Sequence, residues 1–180
     1  MKGLVDAEKL ARKKHQHQRR DDKVTPYSDH LEKVVKILKK IGIRDESILC
    51  AGWLHDTIED TDTDYDDINK DFGIETANIV ATVTKDTRMI KEYREIAYCK
   101  QLKEGTWQSQ IVKFADILAN LNDLKSSNGT NSERKEKAKN KLKYYDAIKI
   151  GLTKNKLNIP SLDSTLSDLT KVFLKYEIKI

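Results

Sequence analysis

An adjacent histidine–aspartate pair behind an apolar segment is the feature that most constrains this 180-residue chain. His55 and Asp56 follow the largely apolar residues 48–54, and Glu59 and Asp60 come within the next helical turn. On a single helix, His55 would lie beside Glu59, and Asp56 beside Asp60, because residues four apart share a face. Burying an imidazole with three carboxylates costs a large free energy unless a cation neutralises them. The segment therefore predicts a metal site.

Two distant residues extend this predicted site. His30 opens a helical pattern of apolar residues that runs to Ile41, and Asp116 is a carboxylate inside the apolar segment 111–121. Imidazole and carboxylate ligands on separate helices suit a divalent ion such as Mn, Fe, Zn or Mg. Each residue alone also has a structural explanation: a helix cap, a histidine hydrogen bond, or a carboxylate paired with Lys113. The four residues together favour the metal.

Four sequence blocks, spread over roughly residues 5 to 150, carry a family resemblance. They are His15-Gln-His-Gln-Arg-Arg20, Thr25-Pro-Tyr-Ser-Asp-His30, Trp53-Leu-His-Asp-Thr-Ile-Glu-Asp-Thr61 and Val112-Lys-Phe-Ala-Asp-Ile-Leu-Ala-Asn-Leu121. The combination of His-Asp-x-x-Glu-Asp-Thr with a distant Lys-x-Ala-Asp-x-x-x-Asn is a specific signal. In these blocks the chain resembles the hydrolase domain of the RelA/SpoT-homologue family, within the HD phosphohydrolase superfamily. It is most similar to the stand-alone small alarmone hydrolases.

The resemblance implies an all-α HD-domain bundle of roughly eight to ten helices that holds one divalent metal ion, typically Mn²⁺. The implied metal ligands are His30, His55, Asp56 and Asp116. Two neutral imidazoles and two carboxylates would leave a divalent ion formally neutral, with open positions for water and substrate. Glu59 and Asp60 are then the catalytic pair that activates the attacking water, a task that suits carboxylates near a cation.

The substrate that the resemblance implies is guanosine tetra- or pentaphosphate. Its 3′-diphosphate would leave as pyrophosphate, giving GDP or GTP. The nucleotide contacts carried over by position are Arg20, Lys113, Asn120 and Tyr144.

Three positions depart from the family pattern, and several functions stay open. The family usually has proline, a basic residue and arginine where this chain has Leu31, Ile117 and Asn122. None of these changes removes a metal ligand, but the missing arginine leaves the choice of nucleotide open. The alternatives are hydrolysis of NADPH, hydrolysis of nucleoside mono- or triphosphates, and a non-catalytic module that senses a nucleotide.

Composition predicts one soluble domain over residues 1–180, since 38% of the residues are apolar and 35% are charged. No signal peptide or membrane-spanning run is evident, so we expect a cytoplasmic protein without a membrane partner. Cys50 and Cys99 lack ligand spacing and are interpreted as buried thiols in a reducing compartment.

The net charge of +5 is distributed over lysine-rich surfaces, and we expect no nucleic-acid partner. Residues 56–75 hold nine carboxylates and one lysine, which favours a cation there.

Helical periodicity dominates the chain, and no alternating strand pattern is present. Gly42 is the expected end of the second helix, Asp45 or Ser47 the expected cap of the third, and Thr63 the cap of the fourth. The predicted helices cover residues 4–17, 28–40, a segment carrying His55 and Asp56, 65–71, 74–84, 89–104, 107–125, 132–154 and 161–178.

Overall fold

The computed structural model describes all 180 residues and contains ten α-helices and no β-strand, which confirms the predicted all-α class. Two short 3₁₀ turns follow α8 and α9. The helices are α1 (Leu4–Lys14), α2 (Tyr27–Ile41), α3 (Glu46–Leu54), α4 (Thr57–Asp60), α5 (Tyr65–Phe72), α6 (Ile74–Val83), α7 (Lys91–Glu104), α8 (Trp107–Asp123), α9 (Asn131–Lys154) and α10 (Leu162–Leu174). None of them is both long enough and apolar enough to cross a lipid bilayer.

Helix α8 forms the centre of the bundle. It packs against α2, α3, α6, α7, α9 and α10, and most of its residues are buried. The Thr106 side chain caps its start by accepting a hydrogen bond from the Ser109 amide, which satisfies a donor that the helix itself leaves free. Because most of this helix is buried by its neighbours, a polar residue in its middle is surrounded by protein. Asp116 and Lys113 occupy that position.

Helices α2 and α3 approach each other closely at Gly52. A Cβ atom there would lie 2.8 Å from Leu38 Cδ1 and 3.1 Å from Val35 Cγ2, both on α2. Glycine therefore permits the close contact that brings the end of α3 near the first turn of α2. As expected, α2 ends at Gly42, whose φ of 102° is the left-handed conformation that glycine adopts without strain.

The expectation that one helix carries His55, Asp56, Glu59 and Asp60 is wrong. Helix α3, capped by Asp45, ends at Leu54, and α4 is a separate single turn. Side chains form hydrogen bonds with carbonyl groups near the end of α3. His55 Nδ1 lies 3.0 Å from the Gly52 oxygen, and Thr57 Oγ1 donates to the Leu54 oxygen at 2.6 Å. These side-chain bonds compete with the backbone ladder and allow the chain to turn.

Smaller differences concern the helix ends. The cap of α5 is Asp64 and not Thr63, because the Asp64 carboxylate accepts the Asp67 amide at 2.9 Å. A carboxylate also interacts favourably with the positive end of the helix dipole. Helix α1 ends at Lys14, three residues earlier than expected, and α10 ends at Leu174, four residues earlier.

Candidate metal centre and adjoining cleft

Three elements bring the predicted metal ligands together. His30 comes from the first turn of α2, His55 and Asp56 from the break between α3 and α4, and Asp116 from the middle of α8. His55 Nε2 lies 3.0 Å from Asp56 Oδ2, and His30 Nε2 lies 3.8 Å from the same oxygen. Ligand atoms of His30, His55 and Asp56 all lie within 4.8 Å of one another. We call these three residues and Asp116 the metal centre.

Asp116 faces both imidazoles and is held by two neighbours on its own helix. Its Oδ1 lies 3.2 Å from His30 Nε2 and 3.8 Å from His55 Nε2. Lys113 Nζ donates to Oδ2 at 2.8 Å, and the Asn120 amide donates to Oδ1. Burial acts to raise the pKa of Asp116, but the Lys113 ammonium, the His30 imidazole and the more distant Lys141 ammonium outweigh it and hold that pKa well below its usual range. The carboxylate is therefore ionised and fixed in orientation.

The donor atoms of the metal centre fit a divalent cation. His55 Nδ1 donates its proton to the Gly52 carbonyl, so Nε2 carries the lone pair and points at the Asp56 carboxylate, which is also an acceptor. This buried Nε2 has no hydrogen-bond partner. Two acceptors 3.0 Å apart require a proton or a metal ion between them. Imidazole nitrogens and carboxylate oxygens are ligands of Mn, Fe and Zn.

The two histidines respond to their surroundings in opposite ways. Burial lowers the pKa of His30, which favours the neutral imidazole that a metal requires. Burial also acts to lower the pKa of His55, but the adjacent Asp56 carboxylate outweighs it and raises that pKa to about 9. Without a metal, His55 thus takes up a proton in the position that a cation would occupy.

Asp60 lies at the edge of the metal centre, beside a tyrosine that the sequence analysis did not identify. The Tyr27 hydroxyl donates to Asp56 Oδ2 at 2.6 Å and lies 3.5 Å from Asp60 Oδ2. The ring of His15 stacks on Tyr27 at 4.9 Å, which fixes the tyrosine from its other side. Burial and the charges of Asp56 and Glu59 raise the pKa of Asp60.

Glu59 is directed away from Asp60, although the two are adjacent in α4. Its Oε2 accepts the backbone amide of Lys85 at 3.0 Å, just beyond the end of α6. The Lys85 ammonium in turn donates to the Tyr144 hydroxyl at 2.8 Å and lies 3.3 Å from Glu95. Glu59 is therefore tied to α9 through Lys85, whereas Asp60 is tied to α2 through Tyr27.

A polar cleft of about 330 Å³ adjoins the metal centre. Three of the four predicted nucleotide contacts, Arg20, Asn120 and Tyr144, line it. Arg20 Nη2 donates to Asn120 Oδ1 at 2.8 Å, and Asn120 also donates to Asp116, so the cleft and the metal centre share a hydrogen-bond chain. Its remaining lining residues are Asp21, Asp22, Thr25, Lys33, Asp123, Leu124, Ser126, Ser127, Lys137, Asn140 and Lys141.

Lys113, the fourth predicted contact, lies elsewhere. It is only 7% exposed, pairs with Asp116, and lies near the rings of Tyr98 and Tyr144 at 5.2 and 5.1 Å. Its ammonium is thus committed to a metal ligand and to aromatic faces within the core.

Asn122, where the family usually has arginine, also lies away from the cleft. It lines a separate groove between α2, α8 and α10, together with Ile37, Leu118 and Asp168. The departure from the family pattern at this position therefore does not alter the lining of the cleft.

Most of the cleft was not predicted because its residues belong to no motif. Thr25, Lys33 and Lys141 come from a loop and two different helices, and only the fold brings them together. Asp123 did have a sequence signal, since it follows Asn120 by three residues and therefore shares its face of α8.

Comparison with known proteins places this arrangement among related chains. A family model described as HD domain matches residues 7–149. The guanosine-3′,5′-bis(diphosphate) 3′-pyrophosphohydrolase MESH1 of Xenopus tropicalis is 40% identical over 68% of this chain and 69% of its own length. The human protein of the same name is 40% identical over 67% and 69%. A solved structure of a metazoan orthologue of SpoT that hydrolyses ppGpp superimposes with a TM-score of 0.74 at 33% identity, covering 81% of this chain and 84% of the other.

Proposed function

The chain belongs to the HD domain family, and on that premise we propose that it hydrolyses guanosine 3′,5′-bis(diphosphate) with the help of one Mn²⁺ ion per chain. The products would be pyrophosphate and GDP, or GTP from the pentaphosphate. The observation that carries the proposal is the buried cluster of His30, His55 and Asp56 beside a polar cleft, with Asp60 near the Tyr27 hydroxyl that also binds Asp56. The names of the similar proteins support it.

In this proposal His30, His55, Asp56 and Asp116 hold the ion. When bound, Mn²⁺ would polarise a phosphoryl oxygen and lower the pKa of a water molecule. The protein fixes three of these side chains in advance, because each has a second partner: the Gly52 carbonyl for His55, Tyr27 for Asp56, and Lys113 for Asp116. Such partners orient ligands and raise metal affinity.

Glu59 and Asp60 would orient the attacking water and take up its proton. The pKa of Asp60 is raised and so lies closer to neutral pH, and a carboxylate with a higher pKa is a stronger general base. Glu59 is anchored by the amide of Lys85 and is the better placed of the two to orient the water, since only one of its oxygens has a hydrogen-bond partner.

Arg20, Asn120 and Tyr144 would contact the nucleotide in the cleft, while Lys113 would act through Asp116. Free thiols at Cys50 and Cys99 suit a reducing compartment, and we place the protein in the cytoplasm on that basis.

A panel of nucleotides tests the proposal. The purified protein is incubated with ppGpp, pppGpp, GTP, GMP and NADPH, with and without Mn²⁺, and the products are separated by anion-exchange chromatography. We expect Mn²⁺-dependent release of pyrophosphate from ppGpp and pppGpp, with little change in GTP or GMP. Inert ppGpp beside cleaved GMP, GTP or NADPH would contradict the substrate assignment. Tight binding of ppGpp without turnover would identify a sensing module.

A further inference from the structure

The cations of the cleft are not equally available to a ligand. Lys33 Nζ lies 2.6 Å from Asp123 Oδ1, and Arg20 lies 3.6 Å from the other oxygen of the same carboxylate. Lys137 Nζ lies 2.7 Å from Asp21. Each of these three cations therefore has a carboxylate partner, and a phosphate would have to compete with that partner for it.

Lys141 is the fourth cation of the cleft, and it has no carboxylate partner and no hydrogen bond. Its side chain is half-buried on α9, with Nζ 5.9 Å from the ring of Tyr144. Burial lowers the pKa of Lys141, and it outweighs the Asp116 carboxylate, which acts to raise that pKa; the nearby ammonium groups of Lys113 and Lys85 act in the same direction as burial. A cation that is withdrawn from water, and that has no carboxylate in direct contact, is stabilised by an anion that can reach it.

The position of Lys141 identifies the anion. Lys141 shares the cleft wall with Asn120, whose amide is bonded to the metal ligand Asp116, and with Tyr144, whose hydroxyl is bonded to Lys85. An anion that meets Lys141 would therefore lie at the end of the cleft nearest to the metal centre. In a nucleotide hydrolase this is the place of the phosphate chain that is cleaved.

We propose that Lys141 is a substrate-binding and specificity-determining residue, which grips the diphosphate next to the metal centre as the one cleft cation free to do so. This inference rests on the proposed function for the identity of the substrate. The carboxylate-paired cations Arg20, Lys33 and Lys137 then shape the cleft, and Lys141 supplies the one cationic charge that has no carboxylate in direct contact.

Two variants on the same helix test the role of Lys141. Lys141→Met removes the charge and keeps most of the side-chain volume, while Lys143→Met makes the same change at an exposed position outside the cleft. Binding of inorganic pyrophosphate to the Mn²⁺-loaded protein is measured by titration calorimetry. We expect Lys141→Met to weaken binding by about tenfold, the size of one charge-assisted hydrogen bond. Lys141→Arg should restore most of the affinity, and Lys143→Met should bind like the unmodified protein.

Thermal unfolding separates binding from a structural role. Because Lys141 has no partner to lose, Lys141→Met should melt no lower than the unmodified protein without ligand, and it should gain less from added pyrophosphate. A lower melting temperature without ligand, or equal pyrophosphate affinity in Lys141→Met and the unmodified protein, would overturn the proposal.

Steady-state kinetics then links Lys141 to the substrate. If ppGpp is hydrolysed, Lys141→Met should raise KM for ppGpp about tenfold and change kcat little, as expected when binding contributes equally to ground and transition states. If the unmodified protein leaves ppGpp intact but its pyrophosphate affinity still depends on Lys141, the proposed function fails while the assignment of Lys141 stands.

Discussion

The metal centre and the cleft beside it are built in contrasting ways. Three of the four residues of the metal centre are held by a second hydrogen-bond partner within a buried set of helices, as Lys113 holds Asp116. The cleft is lined by loop and helix-surface residues, and most of its charges neutralise one another. The buried region therefore fixes geometry, and the open region offers a surface whose charges can change without disturbing the core. We expect chemistry to depend on the first region and nucleotide choice on the second.

Removing a metal ligand should have the largest effect. His55→Ala takes away one of the two imidazole ligands, the one 3.0 Å from Asp56 Oδ2, so both metal content and ppGpp hydrolysis should fall below detection. Elemental analysis measures Mn²⁺ per chain, and chromatography measures turnover. The exposed histidine variant His17→Ala is the control, and it should keep both properties. Full activity in His55→Ala would show that the buried region is not the site of the chemistry.

Glu59→Gln should separate the binding of the metal from the activation of the water. It keeps the shape and removes the charge that orients the water, so kcat should fall by a factor of about 10² to 10⁴. Mn²⁺ content should not change, because Glu59 is outside the set of ligands. Glu92→Gln, the same change at an exposed position, serves as the control. Loss of metal in Glu59→Gln, or a rate equal to that of the unmodified protein, would refute its assigned role.

The affinity for Mn²⁺ should depend on pH through His55. Without metal, the His55 pKa is raised from 6.5 to about 9, so the ion must displace a proton at neutral pH. Affinity should therefore rise by about tenfold per pH unit between pH 7 and 8.5, with release of about one proton. Calorimetry in buffers of different ionisation enthalpy measures that proton. An affinity independent of pH over this range would contradict the prediction.

The same shift predicts how the metal-free fold responds to pH. A raised pKa means that the folded state binds the His55 proton more tightly than the unfolded state does. This contribution to the free energy of unfolding is complete below about pH 6.5 and is lost as the pH rises through about 9. Urea unfolding at pH 7 and at pH 9 measures this loss in the free energy of unfolding. The loss should be absent in His55→Ala.

Asn122→Arg should have the smallest effect. The variant restores the usual family residue, but position 122 faces the groove near Ile37 and Asp168 and not the cleft. KM and kcat for ppGpp should each change by less than about twofold, as is usual for a surface charge. A large change in KM would show that the cleft extends beyond the residues described above.

The sequence predicted the two regions unequally. The residues of the metal centre lie in dense motifs, because a buried charge in an apolar segment is visible in the sequence itself, as Asp116 is in α8. The cleft depends on how α9 crosses the loop before α2, which no local pattern specifies. Lys141 therefore looked like one of several surface lysines, although the fold places it in the cleft.

The helices were likewise predicted where they depend on local sequence and missed where they depend on particular side-chain hydrogen bonds. Helix periods and the glycine at the end of α2 were predictable from the sequence. The break after Leu54 was not, because it depends on hydrogen bonds from the His55 and Thr57 side chains to the carbonyls of Gly52 and Leu54. The periodic pattern continues through the break, so periodicity alone predicts one helix there.

That break has a consequence for the thermodynamics of metal capture. Neighbours on a regular helix point about 100° apart, yet here His55 Nε2 and Asp56 Oδ2 lie 3.0 Å apart and face one another. Two consecutive residues would thus both bind the ion, and the second donor is already in place once the first has bound. Of the remaining ligands, His30 precedes His55 by 25 positions and Asp116 follows Asp56 by 60, so only folding brings them to the site. An unfolded chain would therefore retain a weak, local affinity for the ion at this dipeptide, and folding would complete the coordination sphere.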